Sequence, residues 1–323
     1  MRQHKAFERR VLGSTGLNVT VMGIGGAWLG HQGDGTYDEQ TGIDTVLRGL
    51  ESGMNFIDTS GAYIGGRSEQ FIGVALKEWF SRGHRREDLV ICTKTGTRVR
   101  PHDYSYDFTM QSVETSMTAM GIDFVDIVLV HDPVSLDPVL APRGALTALR
   151  NLKNEGMIGA IGLGCRSHEH HRRCIEHGEF EVSLTFKDYN LAVRTAMPDV
   201  IEPAAAKGVG VINASIMVNG LLGGAEPFGM TEKARYHGRL ENEPVALAQR
   251  LWEWCRDRAL DLGTLNLQYC LREPRIGSTV LGFSSPARID QNVEALDAAI
   301  DEAVWAELYR DFGLDRPAGQ DES

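Results

Sequence analysis

Long apolar runs are missing from this sequence. No stretch approaches the roughly 20 consecutive apolar residues that a helix needs to cross a bilayer, which argues against a membrane protein. An excess of basic residues is also missing. Lysine and arginine number 33 against 44 aspartates and glutamates, a formal charge of −11 with a pI near 5.4. Nothing in that balance would hold a phosphate backbone or anionic lipid, so no nucleic-acid partner is expected. Cysteine is scarce, and the five present (Cys92, Cys165, Cys174, Cys255, Cys270) form an odd set without CxxC spacing. That pattern predicts free thiols and a cytoplasmic, reducing setting, with Cys92 as strand core. The basic opening MRQHKAFERR runs into the polar stretch VLGSTGLNVT where a secretory signal would place its apolar core, so no such signal is expected. The glycine-rich stretches GIGGAWLG (23–30) and GAYIGG (61–66) lack the GxGxxG and GxxxxGK[ST] spacings of phosphate-binding loops. Gly25 and Gly26 instead suit close backbone approach at a strand tip.

What is present is a regular alternation of short β-branched runs with longer helical patterns. Strands are predicted at residues 21–26, 54–58, 89–94, 124–131, 158–164, 181–186, 208–214 and 278–283. Helices are predicted at 38–52, 68–80, 109–120, 144–155, 168–177, 198–207, 245–273 with a break, and 286–297. Eight strand-helix units close a (β/α)8 TIM barrel, and one barrel of about 250 residues plus loops accounts for residues 1–323 as a single domain. The stretch FERRVLGSTGLNVT reads as an N-terminal β-hairpin closing the barrel floor, and DEAVWAELYRDF (301–312) as an extra C-terminal helix. Residues 220–244 are rich in glycine and charge without periodicity. Following the seventh strand, on the face where barrel sites lie, they read as a cofactor or substrate cover or as a surface insertion.

Three apolar runs end in polar groups: Asp58 after MNFI, Lys94 after LVICT and His131 after FVDIVLV, spaced 36 and 37 residues apart. That is one strand-helix unit each, so a carboxylate, an ammonium and an imidazole fall on neighbouring strand tips, with Tyr63 on the loop after the first. A strand buried on both faces does not end in charge unless its tip opens on a site. A lysine beside a tyrosine favours the phenolate and is expected to pull the phenol pKa down from about 10. A nearby histidine can orient a carbonyl or alcohol oxygen toward that hydroxyl. The set contains no electron carrier, so it suits an acid/base site whose difficult step a bound cofactor supplies.

The segments RVLGSTGLNVTVMGIG, NFIDTSGAYIGGRSEQFIGVAL, DLVICTKTG, VDIVLVHDP, LKNEGMIGAIGLG, KGVGVINAS with GLLGG, and VLGFSSPARIDQNVEAL resemble, in order, the aldo-keto reductases. The motifs DTSGAYIGGRSE, VINAS with NGLLGG, and LNLQYCLREPRIGSTVLGFSS resemble the branch of L-galactose, L-fucose and D-threo-aldose 1-dehydrogenases. The resemblance implies Tyr63 as general acid/base, Lys94 and Asp58 setting its pKa, and His131 orienting the substrate oxygen. It further implies an NAD(P) cofactor lying over the strand tips. Gly25, Asp58, Gly164, Cys165, Ser215, Gly220 and Leu221 would hold its nicotinamide and pyrophosphate part, and Ser284, Arg288 and Asn292 its adenosine end. Arg288 suits a 2′-phosphate, while Gly282 stands where many NADP-dependent members carry lysine, so NADP(H) is favoured over NAD(H) by one contact of two. Gly164-Cys165, Phe186 and Ala214 replace the Ser-Asn pair, glutamine and tyrosine that the family commonly sets against the nicotinamide. Lys187, Asp188 or Asn190 are the candidates to substitute.

The expected activity is NAD(P)-dependent oxidation of the anomeric carbon of an aldose to a lactone, with Trp28, Tyr63 and His131 facing the substrate. Trp28 either walls a sugar-sized pocket or covers core. General reduction of small aldehydes or ketones is the alternative, and a cofactor-sensing binding subunit is the alternative from another class. The run SHEHH (167–171) offers His168, His170 and His171 beside Cys165 as metal-ligand types, but without HExxH or CxxC spacing, and no metal is expected. A metal-dependent barrel isomerase or hydrolase would need more strand-tip ligands than Asp58 and His131. The expected partner is a small-molecule sugar or carbonyl compound, and a homo-oligomer is open.

Overall fold

The computed structural model describes residues 8–227 and 242–317. Strands β1 (Arg9–Val11) and β2 (Asn18–Thr20) pair antiparallel, Arg9 opposite Thr20, as the expected hairpin. Eight parallel strands follow: β3 (Met22–Gly25), β4 (Phe56–Asp58), β5 (Val90–Thr95), β6 (Val125–His131), β7 (Ile158–Gly164), β8 (Val182–Phe186), β9 (Gly210–Ala214) and β10 (Ile276–Gly282). They hydrogen-bond in sequence order, and β10 closes on β3 to complete the barrel. Strands covered on both faces read as continuous apolar runs, and every residue of β5 is buried.

Apolar residues divide into two sets. Phe56, Ile127, Leu129, Val182, Ile212 and Val280 fill the barrel interior, while Ile57, Ile91, Val128 and Ile161 point outward under the helices. The hairpin plugs one end. Leu12 is fully buried and lies so close to Gly210 and Gly277 that a Cβ at either position would overlap it. Arg10 ties the plug down by donating to the carbonyls of Leu271, Glu273 and Ile276. With that end plugged, the barrel interior opens at the carboxyl ends of the strands.

The helices start where capping chemistry begins. Asp38, Ser105, Ser167 and Asp261 each accept from a first-turn N–H, at the starts of helices Glu39–Glu51, Tyr106–Met120, His168–His177 and Leu262–Leu271. Ser105 sets the third of the predicted helices three residues earlier than its apolar periodicity suggested. The break inside 245–273 falls between Arg256 and Leu262, with Ala259 at φ +54°. A short helix Asp137–Leu140 was not foreseen, and the helix predicted at 198–207 is a π turn over Met197–Ile201 followed by Glu202–Lys207. Helix Glu302–Phe312 is the extra C-terminal element. The predicted cover at 220–244 lies mostly outside the described residues. No helix among the described residues is long and apolar enough to cross a membrane.

Candidate active site

Parallel register sets the polar groups side by side. Asp58 ends β4 opposite Cys92, Lys94 sits two residues further along β5, and His131 ends β6. The chain leaving β4 is pinned by Thr59 N–H donating to the Cys92 carbonyl (2.8 Å) and by a Thr59–Ser68 hydroxyl pair (2.8 Å). Ser68 in turn donates to the Gly26 carbonyl (2.8 Å). Between these anchors Ile64, Gly65 and Gly66 take φ of +53°, +63° and +90°, a left-handed turn that leads from Tyr63 into helix Ser68–Ser81. Glycine at two of three positions makes that turn accessible. The Arg98 guanidinium occupies the space where any side chain at Gly61 would go. It is held there by fully buried Glu69 (2.7 Å) and by Ser116 (2.8 Å), and Glu69 also accepts from Thr93 (2.6 Å).

Lys94 Nζ donates to Asp58 Oδ1 at 2.6 Å and to the Thr59 carbonyl at 2.8 Å, with the two charged side chains 1% and 6% exposed. The ammonium lies 4.8 Å from the centre of the Tyr63 ring. Burial is the largest influence on Lys94 and lowers its pKa, but Asp58, Tyr63 and Cys92 together outweigh it and hold the lysine charged. For Tyr63 the expectation of a lowered phenol pKa does not hold. Burial pushes it up to about 12, and the opposing pull of Lys94 is smaller. The resting group is therefore a neutral acid. His131 is driven well below the usual imidazole range, first by burial and then by Lys94 and His102. Its ring packs edge-on to Tyr63 (centroids 5.8 Å apart), and its Nδ1 lies 2.7 Å from the Thr97 hydroxyl. The main chain of His131 is fixed by the Tyr104 hydroxyl, which donates to its carbonyl (2.7 Å).

These four residues line one cavity of about 310 Å³, and Gly25, Trp28, Gly164, Cys165 and Ser215 line it with them. Trp28, 48% exposed, is a wall and not core cover. Gly220, Leu221, Ser284, Arg288 and Asn292 stand outside that lining. Leu221 is buried core, Arg288 is exposed and donates to Gln291 (3.0 Å), and Asn292 donates to the Arg288 carbonyl (2.8 Å). Of the three candidates to contact a nicotinamide amide, only Lys187 reaches the cavity. Asp188 is paired with His168 (2.8 Å), and Asn190 caps its own turn through Ala192 and Val193. The Cys165 thiol, pushed up to about 12 by burial, donates to the Ser167 carbonyl (3.6 Å).

Among the charged lining residues, sequence reasoning missed two, Asp132 and Arg166. Each directly follows a residue that was found, but the turn that aims it at the cavity leaves no periodic signal. The histidine run has structural work. His168 bridges Asp188 and Asp199 (2.9 Å), which raises its pKa, and buried His171 donates to the Cys165 carbonyl (3.1 Å). Among the described residues no three His, Cys, Asp or Glu side chains are grouped to hold a metal ion. All five cysteines are free and buried.

The family model described as the aldo/keto reductase family matches residues 21–310. The chain belongs to the aldo/keto reductase family. Within it, L-galactose dehydrogenase of Arabidopsis thaliana is 31% identical over 295 residues, covering 90% of this chain and 88% of that one. D-threo-aldose 1-dehydrogenase of a Pseudomonas species is 27% identical over 320 residues, covering 91% and 94%. The holo form of an aldo-keto reductase from Bacillus halodurans shares the fold, with a TM-score of 0.76 at 22% identity over 98% of this chain and 100% of that one. Aldo-keto reductases are NAD(P)H-dependent oxidoreductases, and the cavity suits such a cofactor. Gly25, Gly26, Gly164, Gly282 and Ala214 leave its lining free of bulk. At the β9 tip, Ser215, Val218, Asn219 and Gly220 take left-handed φ of +61°, +47°, +58° and +94°. Arg166 and Lys187 supply cations at 4.8 and 5.0 Å from the Phe186 ring.

Proposed function

We propose that this aldo-keto reductase oxidises the anomeric carbon of a free aldose to its lactone, with NADP(H) as the favoured cofactor and residues 1–323 acting as one barrel domain. The observation that carries this reading is the cluster itself: a neutral tyrosine, a buried Lys94–Asp58 pair and a neutral imidazole lining one cavity. A bound nicotinamide dinucleotide supplies the hydride acceptor or donor. Gly25, Asp58, Gly164 and Cys165 would hold its reactive half, Ser215 with the backbone of Gly220 and Leu221 the pyrophosphate, and Ser284, Arg288 and Asn292 the adenosine end.

As phenolate, Tyr63 takes the proton of the substrate hydroxyl during oxidation, and as phenol it gives a proton to the substrate oxygen during reduction. The charge that phenolate develops is met by Lys94, whose own charge Asp58 maintains in the absence of water. His131 orients the substrate oxygen: with the Thr97 hydroxyl donating to Nδ1, the ring proton sits on Nε2 and donates to that oxygen. A neutral polyol requires no counter-charge in the cavity, and Trp28 offers a flat wall of the kind that packs against a sugar face. The names of the two aldose-oxidising relatives support the same substrate class.

The test is absorbance at the reduced-nicotinamide band, with NAD and NADP separately, across free aldoses in one direction and simple aldehydes in the other. Turnover of one aldose epimer series is expected. Activity confined to aldehydes would make the protein a general reductase, and tight cofactor binding with silence in both directions would make it a cofactor-sensing subunit.

A further inference from the structure

Asp132 is the one lining residue that combines a left-handed backbone with a proline directly after it. It takes φ +44°, uncommon for any residue with a side chain, and it precedes Pro133, which disfavours helical backbone at the residue before it and pushes that residue toward extended conformation. The structure keeps it there by the Asp132 N–H donating to the Gly164 carbonyl of the neighbouring strand (2.9 Å). The result is a half-exposed carboxylate lining the cavity with Oδ2 3.9 Å from His131 Nε2. Among the described residues no donor hydrogen-bonds to that carboxylate. Held strain of this kind at a cavity wall points to a task for the side chain.

Resting on the aldose reading above, we propose that Asp132 determines specificity by accepting a hydrogen bond from the C2 hydroxyl of the substrate. His131 Nε2 and Asp132 Oδ2 form a donor and an acceptor close enough for one vicinal diol to reach both. The oxygen at the reacting carbon takes the donor, so the group beside it faces the carboxylate. An anomeric carbon has two neighbours that differ in chemistry: the ring oxygen, which only accepts, and C2, whose hydroxyl can donate. An ionised carboxylate accepts only, so it repels the ring oxygen and attracts the C2 hydroxyl. Asp132 thereby fixes which way round the sugar ring lies and separates polyols from simple aldehydes, which have no second hydroxyl to offer. Burial raises the Asp132 pKa above the usual carboxylate value, and the charge of Arg166 opposes that rise.

The test compares three substrates on the cofactor-saturated enzyme: the best aldose, its 2-deoxy analogue, and propanal in the reducing direction. Hydrogen bonds to a charged acceptor correspond to about 10- to 100-fold, so wild type should prefer the aldose to its 2-deoxy analogue by that factor in kcat/KM. Asp132→Gly accommodates the left-handed backbone and should abolish most of this preference, with a loss in kcat/KM on the aldose well above any change on the 2-deoxyaldose or propanal. Asp132→Asn also tolerates that backbone and keeps the side-chain shape; it should fall between. Equal losses on all three substrates, or no loss on the aldose, would overturn the assignment. If wild type oxidises no aldose yet reduces propanal, the aldose reading fails and the C2 assignment with it, a result visible before any variant is made.

Discussion

Replacing Lys94 by methionine separates what the buried ion pair does for stability from what it does for Tyr63. Methionine keeps the unbranched stem and removes the charge and its donors. Asp58 would lose its 2.6 Å partner while its side chain stays 6% exposed, and among the described residues no other cation is within ion-pair distance of it. Stripping one partner from a buried pair costs about 3 to 5 kcal/mol, because the remaining charge stays out of water. With an unfolding entropy of about 2.1 cal/mol/K per residue, that corresponds to a melting temperature lower by about 4 to 7 °C for a chain of this length. Adding Asp58→Asn removes the orphaned charge and should restore most of the loss. Activity should not return with it, since Lys94 is the main group pulling the Tyr63 pKa down against burial and both variants lack it. Thermal melts and turnover on Lys94→Met, Asp58→Asn and the double variant decide the matter. A double variant no more stable than Lys94→Met would show that packing, not charge, was lost, and a double variant with recovered turnover would refute the role given to Lys94.

Tyr63→Phe should retain cofactor binding, read by fluorescence titration, and lose about 10²- to 10⁴-fold in turnover as expected for removal of a positioned acid/base; near-normal kcat would overturn the assignment. Arg288→Ala should weaken NADP binding more than NAD binding, and equal effects would remove the reason for preferring NADP. The pKa of Tyr63, pushed up to about 12, means that phenol dominates near neutrality and the phenolate fraction grows about tenfold per pH unit below that value. Oxidation, which needs the base, should accelerate from pH 6 to 8.5 while reduction, which uses the acid, stays level; an oxidation rate independent of pH over that span would exclude Tyr63 as the base.

The barrel was legible because each of its strands is an apolar run and the polar residues Asp58, Lys94 and His131 interrupt that pattern at a constant interval. Such a spacing reports which strand tips are neighbours. It does not report burial, and burial decides the protonation states: desolvation outweighs the Lys94 charge at Tyr63, so the expected direction of the phenol shift was wrong although the cause named for it is present. Close approaches between units were hidden for a related reason. Gly61 looked like one more loop glycine, yet it is the Arg98 guanidinium from the next strand-helix unit that requires it. Asp132 and Arg166 were passed over because their side chains reach the cavity by leaving the strand period, which is the signal that found their neighbours. The histidine run, which the sequence reading set aside as a metal site, offers ligand types that the fold spends on Asp188, Asp199 and the Cys165 carbonyl.

The protonation states also constrain the substrate. Burial acts on all three titratable groups and favours their neutral forms; only at Lys94 do neighbours reverse it. The inner cavity thus holds one cation and one anion locked to each other, one neutral acid and one neutral imidazole, with no net charge to attract or repel. A substrate is accepted there by hydrogen bonding and shape. Charge selectivity must then be exercised by the other charged lining residues, Asp132 beside His131 and Arg166 and Lys187 beside Phe186. A neutral polyol is compatible with both zones, since it can donate to Asp132 outside and present one oxygen to His131 and Tyr63 inside. A simple aldehyde satisfies only the inner zone, so the outer residues are where discrimination between the two must reside.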